Sequence, residues 1–396
     1  MSIKIFHTAD SHWDTEKLEK CQTSARFIEE QATEIKPDLI VIAGDLQNKR
    51  QTLDGDSAVN PMVEHIIHLA NIAPLAIVMG NEEHDHAGSL DVLRKLETYH
   101  PIHLSEIAET IGLYKNTIGE YTFRSIQEDQ WFSVSEEMVA LLHMLPYPTK
   151  AWFMRDKTMS VDESNFAILQ RLQQIFMGWG VLTEQVKCPT ILVGHCNVAD
   201  SKLSNGQTIL SQDIIITVND LELASAEYNA LGHIHKAQQI GTHSFYSGST
   251  FNFNWGETEP KFFNVVEMQK GSAEVRKIQI PSRPMAKHEA KYMDGGILND
   301  LLTERDWIDA EIRVRVTVRA EQRKFITDED VKRCYPGAYS YQVEWIVVPD
   351  ERIRSESMTK IQTLPEKVGE WGRVNNITID PEVLEHAAEV ERKVAV

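Results

Sequence analysis

Five apolar runs in this chain each lead into a residue type that binds metal ions. Ile3-Lys-Ile-Phe6 precedes Asp10-Ser-His12, Leu39-Ile-Val-Ile-Ala43 precedes Gly44-Asp45, and Leu75-Ala-Ile-Val-Met79 precedes Gly80-Asn81. Ile191-Leu-Val193 precedes Gly194-His195, and Asn229-Ala-Leu231 precedes Gly232-His233-Ile-His235. Short apolar runs that stop at glycine or a polar loop read as buried strands. Helical patterns over residues 16–36, ended by Pro37, and 60–73, opened by Pro61, separate the first three runs. That βαβαβ rhythm requires a parallel sheet with right-handed crossovers. Ligands of such sheets gather at the carboxyl ends of the strands, where all five segments fall.

Further along, residues 111–114, 121–125, 139–145 and 190–193 read as strands, and strand character resumes through 230–246. Helices are expected over 91–97 and 163–177, and a hairpin over 261–280 turning at Lys270-Gly271. Pro281-Ser-Arg-Pro284 marks a boundary. Residues 309–318, 328–334 and 339–348 read strand, helix, strand, which suits a small α/β domain, and the polar tail from Ile353 is helical, most clearly over 383–394. A chain of 396 residues carries two or three domains. We expect them at 1–280, 281–350 and 351–396.

The motif residues are carboxylate or carboxamide oxygens and imidazoles. Asp10 and His12 stand two apart, as do His233 and His235, so each pair points to one side of its loop. Gly44 and Gly80 permit sharp turns before Asp45 and Asn81. Mixed oxygen and nitrogen donors without thiolate favour Mn, Fe or Zn over Ca. Seven such residues are too many for one ion but suit two ions sharing Asp45. Sites of that kind activate water and clamp the oxygens of a phosphoryl group in displacement. The four cysteines, Cys21, Cys188, Cys196 and Cys334, have no CxxC spacing, so neither a zinc ribbon nor a disulfide framework is indicated. With no membrane-length apolar stretch and no signal-peptide pattern at the start, a cytoplasmic, reduced protein without membrane attachment is expected. The formal net charge of −19 excludes a chain that relies on bulk attraction to nucleic acid. Either the substrate is no polyanion, or bound metal and a partner subunit supply positive charge locally.

His7-Thr-Ala-Asp-Ser-His12, Leu145-Pro-Tyr-Pro148, Ala230-Leu-Gly-His-Ile-His-Lys236, Tyr246-Ser-Gly-Ser249 and Gly256-Glu257 together resemble the calcineurin-like metallophosphoesterases, in particular SbcD-type nuclease subunits. The resemblance covers about the first 270 residues well. It implies an α/β fold: a two-sheet metallophosphoesterase sandwich flanked by helices, plus a small α/β DNA-capping domain and a helical tail that docks on the coiled coil of an SbcC-type ATPase. Carried over by position, Asp10, His12 and His235 would hold one metal, and Asn81, His195 and His233 the other, with Asp45 bridging. Two divalent ions, Mn²⁺ first and Mg²⁺ second, DNA as substrate for exonuclease and single-strand endonuclease cleavage, and a homodimer through the nuclease domain are implied in the same way.

One segment departs from the family pattern. Gly-Asn-His-Asp, whose histidine protonates the leaving 3′ oxygen or steadies the scissile phosphate, is here Gly80-Asn-Glu-Glu-His-Asp85. We expect His84 in the catalytic place with Asp85 orienting it; Glu82 or His86 there are the alternatives. A small-nucleotide or phosphoprotein phosphoesterase, and a metal-binding scaffold with impaired catalysis, remain competing readings. Lys49 and Arg50 are candidate phosphate contacts, Lys236 and Tyr246 candidate groove residues, and Phe251-Asn-Phe-Asn-Trp255 a candidate base-stacking cluster or core. His7 reads as a core residue, and His65 and His68 as surface or interface residues.

Overall fold

The computed structural model describes residues 2–49, 57–126, 136–149, 161–204, 214–293, 296–299, 307–348 and 361–394. Two sheets dominate the first 280 residues. The six-stranded sheet runs, edge to edge, Ser272–Ile280, Lys261–Gln269, Ser2–Thr8, Leu39–Ala43, Leu75–Val78, Ile102–Ser105. Its last four strands are parallel, while Lys261–Gln269 returns antiparallel against Ser2–Thr8, with Phe6 opposite Val265. The seven-stranded sheet runs Gln238–Ile240, Ser244–Tyr246, Tyr228–Gly232, Thr190–His195, Glu136–Leu145, Glu109–Asn116, Tyr121–Ser125. It is parallel at its centre and antiparallel towards both edges.

Side-chain alternation explains why the strands are apolar throughout. Ile5, Val41 and Val78 face a shared interior with Leu142, Ile191, Val193 and Ala230 of the second sheet. Their neighbours Phe6, Ile40, Ile42 and Ile77 face the other way, onto Ala25, Ile28, Met62, Ile66 and Leu69 of two helices. A strand covered on both faces has no polar side to show, hence the unbroken Leu39-Ile-Val-Ile-Ala43 run. Helix Leu18–Ile35 buries Cys21, Ala25, Ile28 and Ala32 at helical spacing, and ends where Lys36 turns left-handed ahead of Pro37. Helix Val161–Gln185 covers the outer face of the second sheet, with Ile168, Leu172 and Phe176 against Leu145, Leu192 and Leu231. The fold is therefore a sandwich of two sheets flanked by helices.

The chain divides into two compact units: residues 1–287 with 302–313 and 337–342, and residues 288–301, 314–336 and 343–396. The second contains a packed pair of helices, Leu364–Val374 and Pro381–Val394, in which Leu364 N donates to Glu391 Oε1. A four-stranded sheet is ordered Gly296–Asn299, Met285–Met293, Glu311–Arg319, Ser340–Val348. Sequence pattern does not reveal the first two of those strands. Met-Ala-Lys-His-Glu-Ala-Lys-Tyr-Met is rich in helix formers, and only sheet pairing, with His288 and Ala290 buried on one side, makes it a strand. Residues expected as a helix over 91–97 form a 3₁₀ turn, Asp91–Lys95.

Candidate metal centre

The loops leaving the strands are zipped together. Asp10 N donates to Gly44 O at 3.0 Å, His12 N to Asp45 O at 3.0 Å, and Trp13 N to Leu46 O at 2.7 Å. To aim their side chains inward, Asp10, His12, Asp45 and His233 all adopt positive φ, between 41° and 94°. That conformation is costly for non-glycine residues, and such strain concentrates at functional sites. Two glycines are dictated by space, and Gly44 also by its positive φ of 83°. A Cβ on Gly44 would lie 2.3 Å from His195 Nδ1, and one on Gly80 would lie 1.9 Å from Asp45 Oδ1.

Asp45 Oδ2 is the hub. It lies 3.3 Å from His195 Nε2, 3.8 Å from His12 Nε2 and 3.9 Å from His84 Nε2. Asn81 donates its backbone N–H to Asp45 Oδ1 at 2.9 Å and brings its side-chain amide to 3.4 Å of Oδ2. Asp10, His12 and His235 form one group whose ligand atoms lie within 4.8 Å of one another; Asp45, His195 and His233 form a second; His12, Asp45 and His84 form a third. All seven residues expected as ligands from the sequence thus converge on one place.

Two of the imidazoles, those of His195 and His235, are turned by an oxygen behind them. His195 Nδ1 donates to Ala43 O at 2.7 Å, which aims Nε2 at Asp45. His235 Nδ1 donates to Glu257 Oε1 at 3.0 Å, and its Nε2 meets His12 Nε2 at 2.9 Å. Glu257 in turn receives Lys261 Nζ, both side chains being buried. Burial works against ionisation of Glu257, but His235 and Lys261 hold its carboxyl at about 2. Burial likewise disfavours the Asp45 carboxylate, yet His195 and its neighbouring imidazoles keep it far below the ordinary range. For Asp10 burial prevails over the attraction of the His195 and His235 rings and lifts the carboxyl to about 6. His195 is pulled down by burial, and Asp45 more than compensates, raising it to about 9. His12 and His233 are lowered by burial.

The residues fit divalent cations. His195 Nε2 is buried without a hydrogen-bond donor or acceptor to satisfy it, and the His12 and His235 Nε2 atoms face each other across 2.9 Å. Imidazole nitrogens and carboxylate oxygens converging with no thiolate are a donor set for borderline cations. Glu257 behind His235 is the carboxylate that commonly orients a metal-binding histidine.

His84 reaches the site despite the two interposed glutamates. His84 N and Asp85 N both bond to Asn81 O, so the extra residues close into a turn, and the His84 ring sits 4.6 Å from that of His12. Its Nδ1 faces the carbonyl oxygen of Asn48. Here the structure differs from expectation: Asp85 does not orient the ring. Its buried carboxylate accepts the N–H groups of Gly80, Leu46 and Gln47, stitching two site loops together.

Other expected site residues lie elsewhere. Tyr246 is wholly buried, with its hydroxyl donating to Cys196 O and accepting from Val198 N, so it does not border the groove. Lys236 is half-buried, and its carbonyl accepts the Gln238 amide. His7 is buried against Tyr228, and Cys196 is a buried thiol. His65 is not a surface residue: it is buried, with Nδ1 2.6 Å from Glu29 Oε1, whereas His68 is exposed. Phe251 is core, while Phe253 lies against the His12 and His235 rings. Lys49 pairs with Glu16 at 3.0 Å; Arg50 lies outside the described residues. In the sequence, Glu257 stands out only as part of a motif, and so does Tyr147, whose ring is 5.4 Å from that of His233. Nothing in the sequence marks Lys261 or the Asn48 carbonyl.

The calcineurin-like phosphoesterase family profile matches residues 3–236, a span that ends just past the last ligand motif. Two similar curated proteins are both named as the D component of the SbcCD nuclease. One, from Staphylococcus saprophyticus, is 25% identical over 305 residues, covering 74% of this chain and 73% of that protein. The other, from Bacillus subtilis, is 26% identical over 362 residues, covering 85% and 84%.

Proposed function

Because the chain belongs to the calcineurin-like phosphoesterase family, we propose that it is a two-metal DNA phosphodiesterase, acting as exonuclease and single-strand endonuclease. The observation that carries this reading is Asp45 Oδ2 set between two groups of imidazoles. Asp10, His12 and His235 would hold one divalent ion, and Asn81, His195 and His233 the other, with Asp45 shared. Such ions activate water and offset charge on phosphate oxygens. The chain's own part is to keep the imidazole lone pairs turned inward, to hold the substrate phosphate beside them, and to give a proton from His84 Nε2 to the departing oxygen. Mn²⁺ is the preferred ion, Mg²⁺ the substitute.

The relatives' names support a working partnership with an SbcC-type coiled-coil ATPase, whose surface would supply the positive charge this acidic chain lacks. Residues 281–350 would cap DNA and 351–396 would dock the ATPase, in a cytoplasmic homodimer paired through the nuclease domain. No helix among the described residues is long and apolar enough to cross a membrane.

The test compares hydrolysis of linear duplex DNA with that of an aryl phosphodiester and a phosphopeptide, after chelation and with Mn²⁺ restored. DNA cleavage that disappears on chelation and returns with Mn²⁺ is expected. Turnover of the small substrates alone would favour the small-substrate reading, and a metal-loaded protein that cleaves nothing would make it a scaffold.

A further inference from the structure

His84 sits at the end of a two-residue lengthened loop, yet its ring is aimed by a device outside that loop. Asp14 is only 2% exposed, and both its carboxylate oxygens are engaged: Oδ1 accepts Glu16 N at 3.0 Å and Oδ2 accepts the Asn48 side-chain amide. Asn48 is held on a second side, because its backbone N donates to Trp13 O at 3.1 Å. Its carbonyl oxygen then receives His84 Nδ1, which leaves Nε2 directed at Asp45 Oδ2, 3.9 Å away. Asp85, the neighbour that would ordinarily be credited, is occupied by backbone N–H groups.

We infer that Asp14 and Asn48 are positioning residues for His84, fixing the ring so that Nε2 presents the transferable proton. This rests on the phosphodiesterase reading above. In the hydrolysis, a water oxygen forms the new bond to phosphorus, its proton passes to solvent, and the P–O bond to the leaving alcohol breaks. The alcohol oxygen takes the Nε2 proton of the imidazolium, and the ring is left neutral with Nδ1–H on Asn48 until solvent reprotonates it. A poor leaving group needs that proton; a nitrophenolate departs without it. Positioning by Asp14 and Asn48 therefore matters for DNA and little for an activated aryl ester.

The experiment measures kcat and KM of the Mn²⁺-loaded full chain on linear duplex DNA and on bis(p-nitrophenyl) phosphate. Bound metal per chain and melting temperature are recorded alongside. Asp14→Ala and Asn48→Ala are each expected to lower kcat on DNA about tenfold or more, part of the roughly 10²–10⁴-fold a general acid supplies. KM and metal content stay as in the parent, and the aryl ester loses no more than about threefold. Added to His84→Ala, either substitution should cost nothing further on DNA, since residues acting through one group are not additive. Equal loss on both substrates, loss of metal, or full additivity with His84→Ala would overturn the inference. Should Asp14→Ala fail to fold, Asn48→Ala decides, because it removes the anchor and keeps the carbonyl. A parent protein that cleaves neither substrate sinks the phosphodiesterase reading and this inference together. A parent that cleaves DNA, with variants that match it, sinks this inference alone.

Discussion

Two histidines of the site are oriented by the same device built from unequal materials. His235 and His84 each give Nδ1 to an oxygen and turn Nε2 inward. Behind His235 stands the Glu257 carboxylate, buried and clamped by Lys261, itself 1% exposed. Behind His84, whose side chain is 24% exposed, stands a loop carbonyl tethered by Asp14. A charged acceptor makes the stronger hydrogen bond and raises the basicity of the imidazole it serves, which suits a metal ligand. A neutral carbonyl steers the ring without adding charge, which suits a group that must give up its proton. In the function proposed above, the difference in orienter would separate holding a cation from moving a proton.

The comparison breaks most readily at His84. His84→Ala should reduce kcat on DNA by roughly 10²–10⁴-fold while bound metal stays as in the parent; loss of metal by elemental analysis would mean that both histidines are ligands. Next, Lys261→Met leaves Glu257 buried without its cation and should destabilise the fold by about 3–5 kcal/mol in urea unfolding, as removal of one partner of a buried pair does. A change under about 1 kcal/mol, the range of an exposed pair, would show that the clamp is slack. Glu257→Gln keeps the shape but weakens the acceptor, and should reduce Mn²⁺ affinity by about 10–100-fold by calorimetry; an unchanged affinity would erase the distinction drawn between the two orienters. The smallest effect belongs to Glu82→Ala, expected to alter DNA cleavage by less than about twofold, because a surface position away from such features is close to neutral. A loss comparable to that of His84→Ala would instead make Glu82 the acid.

The residues proposed as ligands are legible in the sequence because each follows an apolar strand whose burial is forced. Leu39–Ala43 must lie inside a parallel sheet, and Asp45 must then stand at its carboxyl edge. The same reasoning places His195 and His233 at strand ends; that the two strands are neighbours, Gly232 pairing with His195, is set by the fold. Loop chemistry is less legible. Asp85 next to His84 invites a pairing that the turn at Asn81 does not make. Glu257 and Lys261 sit four apart on no helix, and Asp14 and Asn48 meet across 34 residues of chain. The strand Met285–Met293 is hidden for a related reason, its helix-forming composition being overruled by sheet pairing.

By itself, then, the sequence determined which donors this protein gathers and on which edge of the sheets, because hydrophobic periodicity and chain direction are local properties that burial enforces. Which oxygen stands behind His235, His195 and His84, on which the proposed division between holding a metal and giving a proton rests, was decided only by the tertiary structure. Those contacts join residues far apart in the chain, and a hydrogen bond depends on angles and distances of a few tenths of an ångström that no pattern of residue types encodes.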